Sequence, residues 1–275
     1  MLKQRIITAI LMAAGFVVIL FYVSPLVFSL AIVPVILLAG WEWTTLLKIR
    51  ILKIRILFLF CLFLSLLGSA FWLGLAEQFL FERAQILLLG VVGLWAVMFL
   101  WVQGYPSSAI LWSPTPILSM LGILLLSATW VSITTVMLYA DGKLLLLFGI
   151  LIVVLADVGG FIIGKLFGKR KLAALVSPGK TWEGFFGGIL FQSTLIASLF
   201  LLLPEKLTPL TIACIFAVAL FSVLGDLFES MVKRHSGVKD SGTLLPGHGG
   251  VLDRVDGVMA ALPMYAILLP ISGIV

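Results

Sequence analysis

The sequence predicts an all-α, polytopic integral membrane protein of about nine transmembrane helices with its N-terminus in the cytosol. Three observations carry this. Hydrophobic residues make up 62% of the 275 and charged residues only 11%, against roughly 25% charged in a soluble domain. The mean hydropathy is +1.26. Apolar runs of about 20 residues, the length that crosses a bilayer as a helix, recur along the whole chain.

The spans read as 6–23, 25–42, 56–75, 85–103, 116–140, 144–166, 182–203, 208–231 and 255–274. With the N-terminus inside, the cytosolic set holds Lys3, Arg5, Lys48, Arg50, Lys53, Arg55, Lys165, Lys169, Arg170, Lys171, Lys180, Lys233, Arg234, Lys239 and Arg254. Of the 18 basic residues only Arg83, Lys143 and Lys206 fall outside. That sorting is what the positive-inside rule requires, and it puts the C-terminus outside. The net charge of +6 is thereby explained without a nucleic-acid partner. So little chain remains between spans that an extramembrane domain is excluded; chemistry has to be built from helix ends and short loops. Cys61 and Cys214 sit in apolar runs and read as small core residues. Trp41, Trp43, Trp101 and Trp112 lie near span ends and read as interfacial anchors.

Polarity divides the chain into hydrophobic N-terminal helices over 1–150 and a region over 151–275 where acids gather: Asp157, Glu183, Asp226, Glu229, Asp240, Asp253 and Asp256. All seven fall on or near the cytosolic side, so function is expected in the C-terminal region. Gly159 to Leu166 nearly spells a P-loop, but Leu166 stands where Ser or Thr is required, and the run is helical. Gly160, Gly164 and Gly168 read instead as a close-packing stripe. Ser177-Pro178 predicts a helix start, which would put Lys180 in the first turn, where a bound anion would offset an otherwise unfavourable cation. Asp157 lies about eight residues inside the sixth span, roughly 12 Å deep. An acid at that depth is either functional or satisfied by a neighbouring hydroxyl or lysine.

The densest segment is 226–256. Asp226, Glu229 and Lys233 share a helix face at the inner end of the eighth span, and Asp253 and Asp256 share one at the start of the ninth. Between them lie Lys233-Arg234, Lys239-Asp240 and the turn Pro246-Gly247-His248-Gly249-Gly250. Carboxylates on two helix ends suit Mg²⁺, which takes one or two carboxylates plus substrate phosphate oxygens. Lys and Arg hold the remaining phosphate charge.

The run Ser230-Met231-Val232-Lys233-Arg234, then Lys239-Asp240-Ser241-Gly242, then Leu245 through Asp256 resembles the signature of the phosphatidate cytidylyltransferases, also called CDP-diacylglycerol synthases. Asp157 with Gly159-Gly160, Ser177-Pro178-Gly179-Lys180-Thr181-Trp182-Glu183 and Gly225-Asp226 resemble that family's other recurring segments. The resemblance is specific over roughly 155–260 and compositional before that. It implies transfer of CMP from CTP to phosphatidic acid, giving CDP-diacylglycerol and pyrophosphate, with Mg²⁺ and room for a second cation. Asp226 and Asp253 are expected to hold the metal. Lys239, Arg254 and Lys180 would neutralise phosphates, with Ser177, Pro178 and Thr181 seating CTP and Glu183 beside them. Asp256, Glu229, Asp240 and Asp157 would be outer partners or ligands of the second cation. His248 would bond phosphate or cap the turn, and Lys233 and Arg234 would bind lipid phosphate or anchor the helix at headgroups. The segment offers no Cys and no base-activated Ser, which predicts direct transfer with no covalent enzyme intermediate. The expected setting is a bacterial plasma (inner) membrane, with the site on its cytosolic side and membrane lipid around it. A homodimer is compatible with this reading. A transporter would show internal symmetry, which the two halves lack, and a CDP-alcohol phosphotransferase an Asp-Gly-x-x-Ala-Arg run, which is absent from the sequence.

Overall fold

A computed structural model describes residues 2–244 and 249–274. Among the described residues ten α-helices follow one another: α1 (Leu2–Tyr22), α2 (Pro25–Leu46), α3 (Leu52–Trp72), α4 (Phe81–Gln103), the single turn α5 (Ala109–Trp112), α6 (Thr115–Met137), α7 (Gly142–Phe167), α8 (Trp182–Leu202), α9 (Pro209–Ser236) and α10 (Leu252–Leu268). Among the described residues, eight helices are long and apolar enough to cross a membrane, and α1 adds a shorter apolar stretch, Ala13–Tyr22. The all-α polytopic architecture read from composition is therefore present. The differences lie at the ends. α9 runs to Ser236 and α10 starts at Leu252, so Lys233, Arg234 and Asp253 belong to helix ends rather than to the intervening loop.

α6 is the central helix, buried without interruption from Leu125 to Met137. Three of its hydroxyls are satisfied by its own backbone. Thr129, Ser132 and Thr135 donate to the carbonyls of Leu125, Ala128 and Val131, one turn earlier. α2, α3, α4, α7 and α10 pack around α6, and α10 also lies against α9. Two tryptophans depart from the interfacial reading. Trp43 and Trp112 are fully buried, and the Trp43 indole N–H donates to the Leu118 carbonyl at 3.0 Å. A large ring whose one polar atom finds a backbone acceptor is better placed in a core than at a headgroup. Cys61 is exposed on α3, not a core residue, whereas Cys214 is buried as expected.

Helix ends meet in two groups, as alternating spans require. At one end Ser236 Oγ donates to the Leu46 carbonyl (2.5 Å), Lys48 to that of His235 (3.3 Å) and Arg234 to that of Val176 (3.3 Å). At the other, Lys143 donates to the Phe21 carbonyl (2.9 Å), Lys206 to that of Ile274 (3.1 Å) and Thr211 to that of Ser272 (2.7 Å). The predicted acid-rich segments all lie at the first end.

The α7–α8 seam is built of glycine on both sides. Gly159, Gly160 and Gly164 face Gly184, Gly187 and Gly188; a Cβ on Gly159 would stand 2.7 Å from the Gly187 carbonyl oxygen, and one on Gly184 2.7 Å from that of Gly160. The backbones touch directly, which is how helices associate where lipid removes the hydrophobic driving force. Gln192 adds a bond from its amide to the Ile152 carbonyl at 2.8 Å. Two of the three predicted glycines, Gly160 and Gly164, thus meet a partner stripe, while Gly168 caps α7 against Thr181; the contact sets the spacing of the site above it.

Candidate active site

The 168–181 connection is not the expected helix start. Lys171–Ala173 (β1) and Ser177–Thr181 (β2) pair antiparallel, and the helix cap is Thr181, whose hydroxyl accepts from the Gly184 N–H at 3.1 Å. Ser177-Pro178 has the composition of a cap and first turn, but Thr181 satisfies the same rule nearer the apolar run, and β1 takes the preceding residues into a ladder. Glu183 closes the hairpin. Its carboxylate accepts from the backbone N–H of Lys169 (3.0 Å) and Arg170 (3.2 Å), so it shapes the loop and does not face the cavity. Pro178 is exposed on β2.

This hairpin hangs Lys180 over a cavity of about 530 Å³ sunk between α7, α8 and α9. Its polar lining is Asp157, Lys165, Ser177, Lys180, Thr181 and Asp226. Lys180 Nζ stands 2.7 Å from Asp226 Oδ2, and Ser230 Oγ donates to Asp226 Oδ1 at 3.1 Å. Asp157, ten residues before the end of α7 and hence about 15 Å deep, opens into the same space. It lies within electrostatic reach of Lys180, Asp226 and Arg254. Four side chains that the sequence separates by up to 69 positions, Asp157, Ser177, Lys180 and Asp226, therefore share one cavity. A smaller apolar cavity of about 210 Å³ adjoins it, sharing Ala156, Phe185, Gly188 and Val223 and continuing along Phe216 and Leu220.

The α9 and α10 ends form a second cluster. Lys233 pairs with Glu229, one turn before it, and with Asp253 at 2.7 Å. Asp253 also accepts from the N–H groups of Ser241 (3.0 Å) and Gly250 (2.8 Å). Asp256 accepts from the Gly257 N–H at 2.7 Å, and Gly225 lets the α9 backbone close onto the Asp256 carbonyl. Lys239, Asp240, Arg234 and Arg254 are exposed around this cluster. Arg234 ties α9 to the hairpin through Val176. His248, with Leu245, Pro246 and Gly247, lies outside the described residues.

The carboxylates differ in what they offer a cation. Among the described residues no three His, Cys, Asp or Glu side chains form a metal cage. Asp226 and Asp157 open to the cavity, which suits a hard cation that arrives with phosphate oxygens and needs one or two protein carboxylates. Asp253 is 9% exposed and committed to Lys233 and two amides, so it would have to release Lys233 to take a metal.

The geometry is that of a charged cavity sunk among long apolar helices. The sequence pattern of the cytidylyltransferase family matches residues 3–272. The chain belongs to that family. Relatives of this cytidylyltransferase-family member include the phosphatidate cytidylyltransferase of Haemophilus influenzae, 40% identical over 97% of this chain and 98% of its own. That of Pseudomonas aeruginosa is 36% identical over 99% and 98%. That of Staphylococcus epidermidis is 47% identical over 53% of this chain and 57% of its own. The resemblance drawn from 155–260 is borne out, and it extends through the N-terminal helices.

One side chain of those helices reaches the family's signature segment without being marked by the sequence pattern. Glu42, four residues before the end of α2 and 5% exposed, accepts from the N–H groups of Val251 (3.0 Å) and Leu252 (2.7 Å) and from Ser241 Oγ (3.2 Å). A lone acid closing an apolar run is the only signal in the sequence. Its cost when buried is the reason to ask what it binds.

Proposed function

We propose that the protein is a phosphatidate cytidylyltransferase: it transfers CMP from CTP to phosphatidic acid and releases pyrophosphate. The single observation that carries this reading is the Lys180–Asp226 cavity at the ends of membrane helices, in a chain related end to end to enzymes of that name. The reaction needs little covalent help, because the lipid phosphate is its own nucleophile. The difficulty is bringing a dianion onto a triphosphate, which calls for positive charge fixed in place.

Lys180, held on the hairpin, meets the nucleotide phosphates, with Ser177 and Thr181 beside it. Lys239, in the loop after α9, and Arg254, in the first turn of α10, neutralise charge from the opposite side. Asp226 is the principal metal carboxylate, with Asp157 across the cavity; Asp253 joins only on exchanging Lys233, and Asp256, Asp240 and Glu229 act behind them. Bound Mg²⁺ would shield the phosphate charges and favour loss of pyrophosphate. The adjoining apolar cavity gives an acyl chain a path that stays in the membrane while CTP arrives from water. Purified protein in detergent, given CTP and Mg²⁺, is expected to release pyrophosphate with phosphatidic acid and not with diacylglycerol. Equal release with either lipid contradicts the reading.

Direct attack on the α-phosphorus inverts its configuration. CTP made chiral by sulfur at that atom is therefore expected to give inverted product. Retention would require a covalent intermediate.

The active-site end faces the cytosol of a bacterial inner membrane, as the basic-residue sorting implies. In a chain with Cys61 and Cys214 replaced, a cysteine at Leu244 is expected to resist an impermeant maleimide in intact cells, while one at Glu205 reacts. Both positions are exposed in the fold, so the reverse pattern would invert the orientation.

A further inference from the structure

We propose that Glu42 is a positioning residue for the transfer reaction: its carboxylate ties Ser241 to the start of α10, so that Lys239 and Arg254, on either side of these contacts, keep their places around the α9–α10 cluster. This rests on the function proposed above. A buried carboxylate costs free energy unless it is paired or hydrogen-bonded. Glu42 is compensated by the N-terminus of another helix. The Val251 and Leu252 N–H groups it accepts belong to the start of α10, where an anion is favoured.

Two glycines make room for it. A Cβ on Gly242 would lie 2.8 Å from Glu42 Cδ, and one on Gly250 2.6 Å from it, so neither position accepts a side chain while Glu42 is in place. Asp253 takes the Ser241 and Gly250 N–H groups from the other side. Between them the two carboxylates hold Ser241, Gly250, Val251 and Leu252. A second consequence follows. The anion site at the head of α10 is filled by the protein itself, which leaves the substrate phosphates to the side-chain cations and to the hairpin end of α8.

Two readouts on purified full-length protein test this. Hydrogen exchange reads the clamp without any substrate. In Glu42→Gln, which loses one acceptor and points an amide at donors, the Val251 and Leu252 amides are expected to exchange faster, with α6 and the middle of α9 unchanged. Steady-state kinetics read the consequence: kcat is expected to fall about 10–100-fold with little change in KM for CTP. Gly242→Ala, which intrudes on the carboxylate from the other side, is expected to reproduce both effects. Wild-type protection at Val251 and Leu252 in both variants overturns the clamp. Faster exchange spread through α6 and α9, or kcat within twofold of wild type, overturns the positioning role. Absence of turnover in the wild type would instead count against the proposed function and leave the exchange result standing.

Discussion

Asp226→Asn is expected to lower kcat by at least 10²–10³-fold, the order of loss when one aligned electrostatic partner is removed, while the protein stays folded in the membrane. The substitution is isosteric. Asn keeps an oxygen for the Ser230 hydroxyl, which now donates to Asp226 Oδ1 at 3.1 Å, but removes the charge that meets Lys180 at 2.7 Å and that a cation would need. Side-chain exposures of 28% and 24% for the pair leave it reachable from the cavity, so neutralising it does not strand a sealed charge. Initial rates across a Mg²⁺ titration, beside a thermal melt, check this. Near-normal turnover at ordinary Mg²⁺ would remove Asp226 from the metal site.

Lys233→Met is expected to act on stability, by about 3–5 kcal/mol, the cost of breaking a buried ion network by deleting one partner. Glu229 is fully buried, and Lys233 is the partner of both Glu229 and Asp253. Without the ammonium, two buried carboxylates lose their shared ion-pair partner. Adding Glu229→Gln to Lys233→Met is expected to restore part of the loss, since one stranded charge is gone. The melting midpoint in detergent measures both. A single variant that melts with the wild type would mean that the cluster contributes nothing net to folding.

Much of this was legible in the chain. Membrane-length helices follow from apolar length. Glu229 and Lys233 sit at helical spacing, so their pairing was visible too. The Gly160–Gly164 stripe announced a close contact, though not its partner on α8. What stayed hidden is whatever depends on distant backbone. The hairpin was missed because Ser177-Pro178 obeys a local capping rule, while β2 exists only through pairing with β1, a strand of three residues. Asp253 reads as a free ligand until the loop amides that occupy it are seen. Glu42 has its partners about 200 residues away, and no spacing rule spans that distance. Trp43 and Trp112 look like belt residues because the rule for span ends does not know which faces are covered by neighbouring helices.

The central claim is that the nucleotide's α-phosphoryl group is moved onto a lipid phosphate in the Lys180–Asp226 cavity. Parallel reactions of the purified protein with phosphatidic acid, Mg²⁺ and CTP labelled with ³²P at either the α- or the γ-phosphorus test it most directly. The account predicts that α-label enters the organic phase as CDP-diacylglycerol, γ-label stays in water as pyrophosphate, and Asp226→Asn moves neither. Recovery of γ-label in the lipid would reveal a CTP-dependent kinase and contradict it.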